Sequence, residues 1–252
     1  MAETAIFQPG GYRYVRGPFQ YSGGAAAEPG FAIHRARFAK RPPIAEGFAL
    51  IEAHLKSVGR PLTAFCGCEL RSPAPFTEQG FIDFNRVYVG TLEKWGIMKG
   101  EENPVARSNV CPEIAPPPVP SFEAFCYTVP VSGGGAGGAD FTIAGSGEAP
   151  EGHGTYEERI IRRGDTSPAA LVEKARFVLG AQEARMGALG KDWATATATQ
   201  VYTVHDLHPF LADEIVGRGA APAGLTWYYA RPPVKDLEYE MDVRSVTAER
   251  VL

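Results

Sequence analysis

The sequence predicts an α+β chain of two tandem domains, each a β-sheet packed on two helices, and three observations predict it. With 44% hydrophobic and 21% charged residues, the 252-residue chain carries apolar material for one large core or two small ones. A Gly-rich break, VSGGGAGGA at 131–139, sits almost at the midpoint. On either side of it the elements follow one order, β-β-α-β-α-β-β, and halves of about 120 residues match the usual domain size. The expected boundaries are therefore 1–130, a linker at 131–139, and 140–252.

In the first half, residues 12–21 and 31–39 are read as opening strands. Ile44, Phe48, Ile51, Leu55 and Val58 recur at steps of four and three, the spacing of an amphipathic helix, which Gly59 ends. The short β-rich run TAFCGCEL at 63–70 is stopped by Pro73 and Pro75. Phe81, Phe84, Tyr88, Leu92 and Trp95 mark a second helix before Gly96. Strands at 105–111 and 121–129 flank the turn Pro116-Pro117-Pro118. In the second half, strands are expected near 141–145 and 157–162. A helix carrying Val172, Ala175, Leu179, Met186 and Leu189 starts at Ser167-Pro168. The alternation of Thr195, Thr197, Thr199 and Val201 with small residues predicts a strand over 193–204. A short helix at 208–217 leads to strands 225–230 and 236–246, joined through Arg231-Pro232-Pro233.

Charge and composition exclude several function classes. A net charge of −4 gives no basic field for a phosphate backbone, so nucleic acid is not an expected partner. No window approaches the about 18 consecutive apolar residues of a membrane span. The opening MAETAIFQPGGYRY lacks the positive and apolar regions of a secretory signal, which makes a cytoplasmic location the expectation. Cys66, Cys68, Cys111 and Cys126 are few and unevenly spaced, as reduced thiols are. Cys66-Gly67-Cys68 lacks the spacer and second ligand pair of a zinc site, and is read as two small apolar side chains on the buried face of a strand; no metal centre is expected. Gly23-Gly24 and 133–138 lack the setting of a phosphate loop, and Gly145-Ser146-Gly147 is read as a loop. His205 and His208 are read as exposed polar residues.

Two segments carry a resemblance. Pro104-Val105-Ala106-Arg107-Ser108-Asn109-Val110 with Ser121-Phe122-Glu123, and Pro222-Ala223-Gly224-Leu225-Thr226-Trp227 with Glu238-Tyr239-Glu240, resemble the end of the reactive intermediate deaminase (RidA, or YjgF-like) family, a proline-led Arg-Ser strand followed by an acidic strand. Phe84-Asn85-Arg86-Val87-Tyr88 adds to it. The resemblance spans the chain twice and implies two tandem RidA-like (chorismate-mutase-like) domains. The two ends are in register: Arg107 to Gly224 and Glu123 to Glu240 are both 117 residues. The helix-ending Gly59 and Gly190 differ by 131, so the first half carries extra chain, assigned to 76–103.

The resemblance implies hydrolysis of amino-acid-derived enamines or imines with release of ammonia, without metal or organic cofactor. It also implies clefts between domains or subunits of a homotrimer. A guanidinium can clamp a carboxylate bidentately, and a carboxyl can orient water or move protons. Arg107 and Glu123 match these two positions and are the expected catalytic pair. Arg107 shares a strand face with Val105, Asn109 and Cys111, and Glu123 with Phe125, Tyr127 and Val129, so both charges stand on semi-apolar faces. Burial there would raise a carboxyl pKa into a useful range. A plain salt bridge between the two is the competing reading.

In the second half Gly224 takes the place of the arginine. Glu240 shares a face with Glu238, Asp242 and Arg244, which reads as solvated or interfacial. One competent site per chain is expected, with Asn109, Cys111, Arg71, Trp227 and Glu240 as substrate-binding candidates and Tyr228 or Tyr229 as further wall residues. Arg71, Arg86 and Arg107 are candidate clamps for a substrate with several carboxylates. Within the family, a 2-aminomuconate-type deaminase of aromatic ring cleavage fits such a small carboxylated substrate. A chorismatase-like hydrolase or lyase on the same fold and a non-catalytic small-carboxylate-binding protein are the alternatives.

Overall fold

The computed structural model describes residues 2–131, 138–152 and 154–252, so residues 132–137 of the stretch 131–139 read as a linker lie outside the described residues. The first half contains β1 (Thr4–Phe7), β2 (Tyr12–Val15), β3 (Gly24–Ala27), β4 (Phe31–Arg37), α1 (Ile44–Ser57), β5 (Phe65–Arg71), α2 (Glu78–Lys94), β6 (Ala106–Pro112) and β7 (Ser121–Pro130). The second contains β8 (Phe141–Ile143), the single-turn α3 (Tyr156–Arg159), α4 (Pro168–Ala188), β9 (Ala198–Tyr202), α5 (His208–Phe210) running into a π-helical turn at Leu211–Val216, β10 (Leu225–Tyr228), β11 (Ala230–Arg231), β12 (Glu240–Ser245) and β13 (Ala248–Val251).

The architecture is α+β, with two sheets ordered β1-β2-β3-β8-β12-β9-β10 and β11-β6-β5-β7-β4-β13. Each contains the same four-strand core. In β4-β7-β5-β6 and in β8-β12-β9-β10, the first two pairings are antiparallel and the last is parallel. The halves exchange strands outside these cores: β1–β3 extend the second half's sheet, while β11 and β13 edge the first half's.

Helices cover the outer faces. Phe48, Ile51 and Leu55 of α1 and Tyr88 and Leu92 of α2 bury against Phe65, Leu70, Phe122 and Phe125. On the other sheet, Leu171, Ala175, Val178 and Leu179 of α4 pack on Val201, Met241 and Val243. The inner faces pack on each other through Ile33, Cys66, Ala106, Cys126 and Ala144. Their approach is close at Gly67, where a Cβ would lie 2.9 Å from Thr142 Cγ2, so a glycine is required in mid-strand.

Several elements differ from expectation. The segment 157–162, read as a strand, is a helical turn, because the Thr155 hydroxyl accepts from Glu158 N while Glu158 returns a bond to Thr155 N, a capping box. Only Ala198–Tyr202 of the strand read over 193–204 is extended; Asp192 caps a 3-10 turn at Trp193–Thr195 ahead of it. β1, β3 and β13 are short strands that the apolar pattern did not mark. Cys66 and Cys68 do not share a buried face. Cys66 is the extra residue of a bulge between Phe65 and Gly67, and it packs between the sheets while Cys68 packs under the helices beside the Tyr88 hydroxyl at 3.3 Å. No helix among the described residues is long and apolar enough to cross a membrane.

Candidate functional site

A cleft opens where the two halves meet, with an empty volume of about 540 Å³ including its open mouth. Arg107 reaches it from β6. Its guanidinium carbon lies 5.5, 5.3 and 5.4 Å from the rings of Tyr21, Phe81 and Tyr88, the last two presented on one face of α2 two turns apart. The residue is 3% exposed, yet Nε and Nη1 have no hydrogen-bond partner among the described residues. A buried guanidinium with unused donors is costly in an empty protein, and such donors suit a planar anion. Asn109, two residues along the same strand, also lines the cleft; its Oδ1 accepts from Ser72 Oγ at 3.0 Å, and its Nδ2 is unpartnered.

The opposite wall comes from the second half. Glu240, the first residue of β12, lines the cleft at 4% exposure. Burial, then the nearby charge of Asp242, pushes its carboxyl up to about 8 against the opposing pull of Arg107. It is therefore a largely neutral acid at neutral pH, beside an arginine that is always charged. Gly145 faces it closely: a Cβ there would lie in van der Waals contact, 3.4 Å from Glu240 Oε1.

The loop carrying Gly145, Ser146 and Gly147 is strapped to β12 by a bridge between Gly147 and Glu240 and by Met241 N donating to Ser146 O at 3.3 Å. Beneath it, Glu148 accepts from the backbone N–H groups of Glu238 and Tyr239 at 2.6 and 3.0 Å and pairs with fully buried Lys174 at 3.1 Å. That pair fixes the approach of the chain to Glu240. Phe81, Ala149, Val234 and Leu237 give the cleft an apolar side, and Tyr156 stands at its rim.

The structure brings together Arg107, Asn109 and Glu240 and leaves the other expected residues elsewhere. Glu123 is absent from the cleft. It is the extra residue of a second bulge, where Leu70 pairs with Phe122 and Glu69 with Ala124, so it leaves the face of Phe125 and Tyr127 and its Oε2 accepts from Arg41 Nε at 2.5 Å. Arg71 lies between the sheets, 1% exposed, with its guanidinium carbon 5.4 and 5.3 Å from the stacked rings of Tyr202 and Tyr228.

Cys111 is buried opposite Arg231 at a sheet edge, and burial pushes its thiol up to about 12. Trp227 is 39% exposed and donates from Nε1 to Thr203 O at 2.9 Å. Arg86 pairs with Glu101 at the surface. The solvated reading of Glu240 is corrected as well: Asp242 and Arg244 on its strand are buried between the sheets, so that face is interior. Gly224, at the arginine's place in the second half, has φ +96°, a conformation few side chains adopt.

Sequence reasoning missed Tyr21, Phe81, Tyr156 and Arg159 as cleft residues. The capping box Thr155-x-x-Glu158 was the available signal for the last two.

Comparison with known proteins identifies the family of the chain. The family model described as 2-aminomuconate deaminase CnbZ matches residues 4–250. A 2-amino-5-chloromuconate deaminase of Comamonas testosteroni is 52% identical over 252 residues, covering all of both chains. Among solved structures, a chorismatase aligns with a TM-score of 0.49 at 13% identity, covering 89% of this chain and 77% of that one. The YjgF gene product of E. coli aligns with a TM-score of 0.31 at 18% identity, covering 43% of this chain and 80% of that one. The near-complete family match and the full-length relative place the chain in the 2-aminomuconate deaminase CnbZ family.

Proposed function

We propose that the chain hydrolyses the C–N bond of a 2-aminomuconate-type enamine, releasing ammonia and leaving a 2-oxo acid, and that Arg107 and Glu240 carry the reaction. The observation behind this is the juxtaposition in one cleft of a buried guanidinium with unused donors and a buried carboxyl raised to about 8. The carboxylate beside the amine-bearing carbon docks on Arg107, with Asn109 Nδ2 as a further donor. Neutral Glu240 gives its proton to the enamine carbon, forming the iminium. As a carboxylate it then takes a proton from the water that attacks the imine carbon, and collapse of the carbinolamine expels ammonia. Neutral again after the water step, Glu240 protonates the departing amine and takes back the carbinolamine hydroxyl proton, so one water is consumed and Glu240 ends in its starting state.

The test is ammonia release from 2-aminomuconate. Arg107→Ala and Glu240→Gln should each lower kcat/KM by about 100-fold or more, whereas Glu123→Gln should stay within about threefold of the wild type. Full activity in Glu240→Gln would sink the assignment. In this reading 1–130 and 140–252 are tandem units that each supply one wall of the cleft. The assembly is proposed to be a homotrimer, which sedimentation would check. Both partners of the site lie within one chain, so dissociated chains should keep the Arg107–Glu240 cleft.

A further inference from the structure

The geometry points to Arg159 as the anchor for a second carboxylate at the far end of the substrate, which makes the cleft selective for dicarboxylates. This rests on the deaminase reading only for the identity of the substrate. Arg159 lines both the cleft that holds Arg107 and the outer cavity continuous with it through Tyr21, Phe81 and Tyr156. It is half-buried and held in place: its guanidinium carbon lies 4.8 Å over the Tyr156 ring, Nε donates to Thr155 O at 3.2 Å, and Nη1 donates to Pro150 O at 2.5 Å. Neither bond uses Nη2. The cation is thus oriented by its own loop with donor capacity to spare, the condition for a low-entropy clamp.

The two arginines are ends of one track. Tyr156 lies under the Arg159 guanidinium at 4.8 Å and lines the same cleft as Arg107, so it forms the wall between the two cations. Phe81, Ala149, Val234 and Leu237 line the space with hydrocarbon, matched to a planar diene between two charged ends. The nearby acids are engaged elsewhere. Glu151 pairs with Arg185 Nη2 at 2.7 Å, and Glu158 Oε2 accepts from Thr155 N at 2.9 Å. Arg159 is therefore not neutralised by a direct carboxylate contact among the described residues.

Muconate and sorbate provide the test, since both are six-carbon dienes and differ in having two carboxylates or one. Calorimetric titration of the full chain should show muconate binding at least about tenfold more tightly than sorbate. Arg159→Gln should bring the two within about threefold of each other by weakening muconate alone, and Arg159→Lys should fall between. An unchanged muconate-to-sorbate ratio in Arg159→Gln would overturn the inference. Equal weakening of both ligands would overturn it too, since that is what loss of the Tyr156 stack alone would do. A wild type with no preference for muconate has the same force. Because binding requires no turnover, a chain that fails to release ammonia from 2-aminomuconate but prefers muconate through Arg159 would defeat the deaminase reading and leave this one standing.

Discussion

At the scale of single residues, the deciding feature is the environment of two glutamates that the sequence aligns at 117 residues apart. Glu123 accepts from Arg41, while Glu240 is buried with its pKa raised to about 8. A proton donor of that kind is lost as pH rises through about 8, so kcat should fall above that value, and a pH–rate profile with no such limb would count against Glu240 as the acid. The same shift sets a stability trend. A carboxyl whose folded pKa lies above its unfolded value, about 4.3, favours the fold fully below that value and loses this contribution as pH rises through about 8. Glu240→Gln, which cannot ionise, should therefore melt progressively higher than the wild type between about pH 5 and 9; parallel melting temperatures across that range would refute the burial argument. Arg107 was legible because Pro104–Val110 resembles the family's proline-led Arg-Ser strand. Glu240 was legible as a substrate-binding candidate but not as a buried acid, because Glu238, Asp242 and Arg244 are polar on alternate positions, and only the second sheet, unseen in one strand's pattern, turns that face inward.

Among elements, the helices were legible and the strand irregularities were not. α1 and α2 each bury one apolar face, α4 buries a face that also carries Lys174, Gln182 and Arg185, and Gly59, Gly96 and Gly190 end the three with φ near +70°. Bulges have no comparable signal, yet one of them turns Glu123 out of line with Phe125 and the other puts Cys66 and Cys68 on opposite faces. The capping box before α3 was present in the sequence, but the β-rich Ile160-Ile161 that follows suggested a strand. Packing also overrides propensity within α1. Alanine is favoured over glycine in a helix interior by about 1 kcal/mol. At Gly47, however, a Cβ would lie 2.3 Å from Phe122 Cδ2, under a ring that is fully buried in the core. Overpacking of this kind costs about 1–3 kcal/mol. Gly47→Ala should therefore lower the melting temperature, by about 2–8 °C, instead of raising it. A stabilised variant would mean that Phe122 can move aside.

Across the whole molecule, the two sheets are joined by a layer of buried charge as well as by apolar packing. Glu69 is its centre: Arg35 Nε lies 2.7 Å from its Oε1, Arg71 Nη2 3.5 Å from its Oε2, and Arg244 Nη1 3.9 Å from its Oε1 across the sheet interface. Asp242 completes the layer, accepting from Ser108, Gln200 and Tyr202 at 2.8 Å each. Burial alone would raise the Glu69 carboxyl, but Arg35, then Arg244, outweigh it and hold Glu69 well below the usual carboxylate range. Removing that one charge leaves Arg71 without an ion-pair partner among the described residues and Arg35 and Arg244 with Glu249 alone, and breaking a buried pair on one side costs about 3–5 kcal/mol. Glu69→Gln should lose stability of that order at pH 7, read as a lower urea midpoint with the slope unchanged. The sign of the pH dependence follows from the depressed pKa: the contribution is complete above the unfolded value of about 4.3 and shrinks as pH falls below it. The gap between wild type and Glu69→Gln should accordingly narrow from pH 7 to about pH 3. If it stayed constant, the variant's loss would come from packing and not from charge. The restraint bears on function because β5, which carries Glu69, pairs in parallel with β6, and β12 runs from Glu240 through Asp242 to Arg244. The same network that ties the sheets together therefore sets the distance between Arg107 and Glu240, and Glu69→Gln should lower kcat at temperatures where the chain is still fully folded.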